Sequence, residues 1–197
     1  MGNKYVNRSK ISEAKFRELV RFFSLDLTAT QIAELSGLNR NTVNRYLKGI
    51  RKRIAEHCRA TAPFTGINVN WLSNTGNREV VWLGIREQDG MIYTLLSDRQ
   101  HWPDNLNKKH EIDLFVNLKT GKRHWSAQRK QLQNKNPSKI NCIDGFRGFV
   151  KARLEKFKGI HSQTYVLHLK ECEFRYNNPK SKLYPLILKI ARNRPLF

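Results

Sequence analysis

The first helical pattern covers residues 11–23, where apolar side chains recur at spacings of three and four. Ser12 lies near the start of this segment and belongs to the residue types that favour the N-cap position. The pattern therefore predicts an amphipathic helix. The residues expected on its inner face are Phe16, Leu19, Val20 and Phe23.

Residues 27–53 predict a helix-turn-helix. Thr28 and Gln31 form a capping-box pair, so a helix is expected to begin at Ala29. Gly37 can adopt the left-handed conformation that ends a helix in a tight turn. A second helix is expected after it, with Asn39 as its N-cap. The apolar face of the first helix is assigned to Ile32, Ala33 and Leu35, and that of the second to Val43, Leu47, Ile50 and Ile54.

The opposite face of the second helix is polar and basic, and it favours DNA binding. In a recognition helix the N-terminal residues meet base edges, and Asn and Arg bind adenine and guanine bidentately. Base readout is assigned to Arg40, Asn41, Thr42, Asn44 and Arg45, and phosphate contact to Lys48, Arg51, Lys52 and Arg53. An ordinary helical hairpin with a solvated polar face is the alternative interpretation.

After residues 61–63 the periodicity changes from helical to extended, which predicts domains at 1–62 and 63–197. Segments 79–86 and 91–96 predict a β-hairpin around Gln88, Asp89 and Gly90. The other predicted elements are strands at 66–72 and 112–118, an exposed irregular loop at 119–139, and helices at 143–158 and 162–176. The first of these helices has a basic outer face, taken as a second DNA footprint, formed by Lys151, Arg153, Lys156 and Lys158.

Composition strengthens the nucleic-acid interpretation, because a 197-residue chain with a formal net charge of +21 is expected to bind polyanions. Residues 1–62 contain 13 basic and 5 acidic residues, residues 63–118 contain 5 and 7, and residues 119–197 contain 19 and 4. No apolar stretch predicts a membrane span or a signal peptide, so a cytoplasmic, nucleoid-associated protein without a membrane partner is expected. Three widely spaced cysteines predict neither a disulfide framework nor a zinc site.

Residues 140–177, INCIDGFRGFVKARLEKFKGIHSQTYVLHLKECEFRYN, resemble the C-terminal signature of the ISXO-like insertion-sequence transposases. The most specific part is HLKECEFRYN at 168–177. RSKISEAKFRELVRFF, LNRNTVNRYLKGIRKRI, PFTG and GMIYT occur in the family's order, so both ends match well and the middle weakly. The resemblance implies a prokaryotic mobile-element origin and an α+β architecture. An N-terminal three-helix module would precede a reduced RNase H-like mixed-sheet domain with C-terminal helices.

The resemblance also implies strand transfer with two divalent metal ions held by an Asp, Asp, Asn and Lys pattern. The first two positions fall on Asn70 and Asn117, the third on Gly145, and only Lys151 matches. An amide can coordinate Mg²⁺ but contributes no charge, so we expect no metal site, no cofactor and no catalytic residue. Asp113 and Asp144 lie at unsuitable positions for replacing the missing carboxylates. Glu171 and Glu173 are expected to pair with nearby Lys and Arg.

Two functions follow from these observations. The first is a non-catalytic, sequence-specific binder of double-stranded DNA that represses transcription, recruits or occludes, and that forms a homodimer to cover two half-sites. The second is an active, Mg²⁺-dependent transposase whose carboxylates lie elsewhere in the weakly matching middle. A small-molecule substrate is not expected, because phosphate-loop and hydrolase motifs are missing from the sequence. RNA binding through Trp71, Trp82, Trp102 and Trp125 is a weaker alternative.

Overall fold

The computed structural model describes residues 3–63, 80–97, 112–117, 123–125, 142–156, 160 and 162–197. The chain divides into two compact units. The first unit combines Met1–Thr61 with Phe174–Phe197, and the second unit is Ala62–Glu173. The described part contains six helices and a four-stranded sheet, so the α+β class is confirmed.

Helix α1 spans Glu13–Ser24, and its start and inner face are as predicted. The Ser12 side chain accepts a hydrogen bond from the backbone N–H of Lys15 at 3.2 Å. At the other end, the Arg175 guanidinium donates to the carbonyl oxygens of Phe23 and Ser24, at 2.6 and 3.2 Å. A side chain from the C-terminal part of the chain therefore satisfies acceptors that α1 leaves open.

Helix α2 spans Ala29–Ser36, and the predicted capping box is confirmed. The Gln31 side chain accepts from the Thr28 N–H at 2.9 Å, and Gly37 has φ +68°. The assignment of Leu35 to the apolar face is wrong, because its side chain is 59% exposed. Ile32 and Ser36 are buried instead, since residues four apart lie on one face of a helix.

Helix α3 spans Arg40–Thr61 and is the longest helix of the described chain. Asn39 caps it, because its side chain accepts from the Asn41 N–H at 2.8 Å. The predicted apolar stripe is confirmed, and it continues beyond the residues named from the sequence. The buried residues of α3 are Val43, Tyr46, Leu47, Gly49, Ile50, Ile54, Ala55 and Cys58.

Helix α6 spans Lys180–Asn193 and has no counterpart among the predicted elements. It contains Pro185, a residue that argues against a helix interior in a sequence pattern. The helix nevertheless packs against α1 and α3, because its apolar face completes their core. The buried residues of that face are Leu183, Ile187, Ile190 and Ala191.

The segment 194–197 closes the first unit. Leu196 is 1% exposed and forms a parallel bridge with Val6. Its N–H donates to the Tyr5 carbonyl at 2.8 Å, and its own carbonyl accepts from the Asn7 N–H at 2.9 Å. The first unit ends at Thr61, one residue from the predicted boundary, but residues 174–197, which were assigned to the second domain, contribute to the core of the N-terminal helices.

The sheet of the second unit contains β1 (Val80–Gln88), β2 (Met91–Ser97), β3 (Ile112–Asn117) and β4 (Arg123–Trp125), in the order β2-β1-β3-β4. The predicted hairpin is confirmed: Gln88 pairs with Met91, and Asp89 and Gly90 have φ of +53° and +74°. Positive φ at both central residues identifies a type I′ turn.

Strand β4 lies inside 119–139, which was predicted to be irregular, and it pairs with β3. The predicted strand at 66–72 lies outside the described residues. All pairings among the described strands are antiparallel, whereas the family resemblance implies a mixed sheet. The RNase H-like arrangement therefore stays a prediction.

Helices α4 (Cys142–Lys156) and α5 (Ser162–Asn177) match the predicted C-terminal helices. Helix α4 packs against β1 and β2, where Ile85, Ile92 and Phe146 are buried. Helix α5 contributes residues up to Glu173 to the second unit and residues from Phe174 to the first unit.

Candidate nucleic-acid interface

The polar face of α3 is defined by five exposed residues in the first half of the helix. They lie opposite the buried stripe, since each of them has another member of the set three or four residues away on the same side of the helix. Thr42, also predicted to read bases, is half-buried at the edge of this face. The polar face consists of Arg40, Asn41, Asn44, Arg45 and Lys48.

The charge of this face is uniformly positive. Between Glu34 and Glu56 the chain contains no acidic residue, while Lys52 continues the exposed cations one turn beyond Lys48. The Thr28 cap and the Gly37 turn hold α2 against the start of α3. The arrangement presents hydrogen-bonding and cationic side chains on a helix that the rest of the first unit supports from behind.

Arg45 contacts an aromatic residue that sequence reasoning missed. Its guanidinium carbon lies 4.6 Å from the centroid of the Phe197 ring and 5.9 Å from that of Tyr46. The Phe197 ring also meets Tyr46 edge to face, with centroids 5.8 Å apart. Stacking on an aromatic ring limits the orientations of a guanidinium, so Phe197 orients Arg45.

The residues predicted to bind phosphates differ in their surroundings. Lys48 and Lys52 are exposed. Arg51 is half-buried over the Phe23 ring, with its guanidinium carbon 5.5 Å from the centroid. Arg53 donates to Glu56 at 2.9 Å and to the Pro195 carbonyl. Arg53 therefore holds α3 to the segment 194–197, which differs from its predicted role.

The second predicted footprint requires a correction. Lys151 and Lys156 are exposed on α4, and Lys158 lies outside the described residues. Arg153 is not on the outer face: it is 6% exposed, and its Nη2 lies 2.6 Å from Oε1 of Glu171. An arginine whose charge is buried against a carboxylate cannot serve as a phosphate contact, because leaving Glu171 unpaired in the interior is costly.

The predicted pairing of Glu171 and Glu173 with basic residues is confirmed. Glu173 is 2% exposed, and its Oε2 accepts from Nζ of Lys170 at 2.7 Å and from the Thr94 N–H at 2.9 Å. The Lys170 ammonium also donates to the Thr94 carbonyl at 2.7 Å. These carboxylates are occupied in joining α5 to β2 and α4.

The positions implied by the transposase resemblance are only partly described. Asn70 lies outside the described residues, and Asn117 is the last residue of β3. Gly145 and Lys151 lie on α4, where Asp144 pairs with Arg147 at 3.2 Å. Across the ranges that the structure describes, no group of three or more His, Cys, Asp or Glu side chains could hold a metal ion. The catalytic assignment stays a prediction.

Two of the four tryptophans considered for RNA binding lie in described strands. Trp82 lies in β1 and Trp125 in β4, whereas Trp71 and Trp102 lie outside the described residues. Among the helices described, none combines the length and apolar character needed to cross a bilayer.

Comparison with known proteins gives one informative similarity. No protein-family model and no solved structure matches the chain. A segment of 54 residues is 44% identical to an uncharacterized transposase-like protein of Haemophilus influenzae. That segment is 27% of this chain and covers 44% of that protein, so the match spans less than half of the relative. Over that part of its length, the chain is related to a transposase-like protein.

Proposed function

We propose that this protein is a transposase-derived, sequence-specific binder of double-stranded DNA. Helices α2 and α3 would act as the helix-turn-helix, with the first half of α3 in the major groove. The observation that carries the proposal is the exposed polar face of α3, directly opposite an intact buried stripe. The similarity to a transposase-like protein supports the same origin.

The dimensions of the polar face suit a groove. Arg40 to Lys48 span roughly 12 Å at ~1.5 Å per residue, and the major groove is ~12 Å wide. Asn41, Asn44 and Arg45 would bond base edges, because they are exposed and their amide and guanidinium groups match adenine and guanine. Lys48 and Lys52 are exposed one and two turns further along the helix, and they would meet phosphates.

The proposal includes the loss of strand cleavage. Amides at Asn70 and Asn117 would remove two of the negative charges that attract Mg²⁺, so the chain would bind DNA without cutting it. Such a protein would be associated with the nucleoid. It would act there as a repressor of transcription, as a recruiter, or as an occluder of the DNA. A homodimer would double the short site that one helix-turn-helix covers.

The test combines selection of duplexes from a random pool with a cleavage assay. We expect the full chain to select duplexes of one sequence from the pool and to bind them with strong salt dependence. In the cleavage assay the selected duplex should stay intact with Mg²⁺ or Mn²⁺. Recovery of no preferred duplex would overturn sequence-specific binding. Nicks that disappear in Asp113→Asn or Asp144→Asn would overturn the loss of catalysis and establish the active transposase.

A further inference from the structure

The segment 194–197 runs along α3 in the opposite direction to the helix. Arg194 Nη1 lies 3.1 Å from Oε2 of Glu56, and the Pro195 carbonyl accepts from Arg53. At the next turns of α3, Leu196 lies beside Gly49 and Phe197 lies beside Arg45. Each residue of the segment thus meets the next turn towards the start of α3.

Gly49 allows this close approach. A Cβ atom there would lie 2.8 Å from Cδ2 of Leu196 and 3.2 Å from Cζ of Phe197. Leu196 is buried in the core of the first unit, and Phe197 touches Arg45 on the polar face. The segment is therefore fixed at the border of the polar face of α3.

Helix α6 brings further cations to the second half of α3, beyond the polar face. Lys189 and Arg192 are exposed in its last turns, opposite the buried residues Ile187 and Ile190. Lys189 lines a cleft of about 260 Å³ between α6 and the second half of α3, together with Arg194 and His57. The Arg194 side chain is 67% exposed. Lys189, Arg192 and Arg194 are named here the α6 cation group.

The sequence around the α6 cation group offers almost no opposing charge. After Glu173 the chain contains six basic residues and no acidic residue. Within the first unit, Glu56 is the carboxylate that approaches the group, through Arg194 and Arg53. The first half of α3 is proposed to enter the groove, and exposed cations beside its second half suit the sugar–phosphate backbone that borders that groove.

We infer that the α6 cation group is a second DNA-contacting surface of the first unit, which binds phosphates of the backbone strand beside the groove occupied by α3. This inference rests on the proposed function. It assigns the second footprint to residues that fold with the helix-turn-helix, in place of the predicted set that included the buried Arg153.

The experiment measures the affinity of the full chain for its selected duplex and for a random duplex across a salt series. In K189Q/R192Q we expect the slope of log K against log salt to fall by about 1.8, since each phosphate contact contributes about 0.9. The ratio of affinities for the two duplexes should stay unchanged, because phosphate contacts carry no sequence information.

K180Q/K182Q is the matched control, because it removes the same charge from exposed positions in the first turn of the same helix. An equal loss of slope in both variants would show an effect of net charge alone and would overturn the inference. Thermal unfolding of both variants at pH 7.5 should match that of the native chain, since all four side chains are exposed.

The failure of the inference can be told apart from that of the proposed function. If the native chain binds no duplex, the proposed function and the inference both fall. If the native chain binds and Arg45→Ala relaxes its preference, but K189Q/R192Q keeps the native slope, only the inference is overturned.

Discussion

At the scale of single residues, Arg45 is the sharpest test of base readout. It is exposed, and its guanidinium lies on the Phe197 ring, which leaves its hydrogen-bond donors open to a base edge. We expect Arg45→Ala to weaken binding to the selected duplex by about 1–3 kcal/mol and to reduce discrimination against random DNA. Fluorescence anisotropy titrations with both duplexes measure this change.

Lys52→Ala is the contrasting variant. Lys52 is exposed two turns further along α3, so it is expected to meet phosphate alone. Its loss should weaken all duplexes alike and lower the salt slope by about 0.9. Equal losses on selected and random DNA for Arg45→Ala as well would contradict the division of roles between the two residues.

His57 gives the first unit a pH dependence. Burial, and then the charge of Lys189, lower the pKa of the His57 imidazole below its ordinary value of 6.5. The unfolded chain therefore binds more protons than the folded chain as pH falls below about 6.5. The contribution of neutral His57 to stability is fully present above that pH and is lost as the pH falls towards the folded pKa.

We therefore expect His57→Gln to lose less thermal stability than the native chain between pH 7.5 and pH 5, because the substitute does not titrate. Proton NMR of the imidazole should give a pKa below 6.5 in the native chain. A pKa at or above 6.5, or an unchanged pH dependence of Tm in His57→Gln, would contradict the assignment.

At the scale of elements, the capping box of α2 sets where the proposed helix-turn-helix begins. The Thr28 hydroxyl accepts from the Gln31 N–H at 3.3 Å, and the Gln31 side chain bonds back to Thr28. Thr28→Ala should lower the free energy of unfolding by about 1 kcal/mol, because that backbone N–H loses its acceptor. Urea denaturation measures the loss, and Thr28→Ser, which retains a hydroxyl, should stay close to the native value.

Two helical glycines provide a matched pair of substitutions. Gly49→Ala places a methyl group 2.8 Å from Leu196, and such overpacking costs about 1–3 kcal/mol. Gly148→Ala places it where, apart from its own helix backbone and its two chain neighbours, no atom of the described residues lies within 4 Å, so helix propensity should raise stability by up to about 1 kcal/mol. Denaturation curves should therefore give a lower free energy of unfolding for Gly49→Ala and a higher one for Gly148→Ala. A stabilising Gly49→Ala would argue against tight docking of Leu196.

Local signals were sufficient to predict several elements. The Ser12 cap, the Thr28 capping box and the Asp89–Gly90 turn each depend on a few neighbouring residues, and the structure contains all three. The pairing of Glu171 and Glu173 with basic residues was also predicted, since both belong to the C-terminal signature on which the family resemblance depends.

Other features depend on contacts between distant parts of the chain. No element was predicted at 180–193, and no local signal shows that Ile187 and Leu196 would cover the core of α1 and α3. Arg153 looked like part of a basic outer face because the sequence does not show that Glu171 of α5 lies against it. The contact of Phe197 with Arg45 could not be predicted either, because the two residues lie far apart in the sequence.

At the scale of the whole molecule, the two ends of the described chain share one core. We expect a fragment of residues 1–62 alone to fail to fold, because it lacks the apolar side chains of α6 and Leu196. Linking residues 174–197 to it by a flexible linker should restore cooperative unfolding by circular dichroism. The join is feasible, since the rings of His57 and Phe174 lie 6.1 Å apart. Cooperative unfolding of 1–62 alone would contradict the shared core.

The bridge between Val6 and Leu196 also imposes an order on biosynthesis. The helices α1 to α3 leave the ribosome early, but the side chains that seal their interior are translated only after the whole second unit. At ~5–20 residues per second, the wait is on the order of ten seconds. A message truncated before codon 180 would therefore release a chain whose first helices lack the buried side chains of α6 and Leu196, and such a chain is a natural substrate for chaperones and proteases.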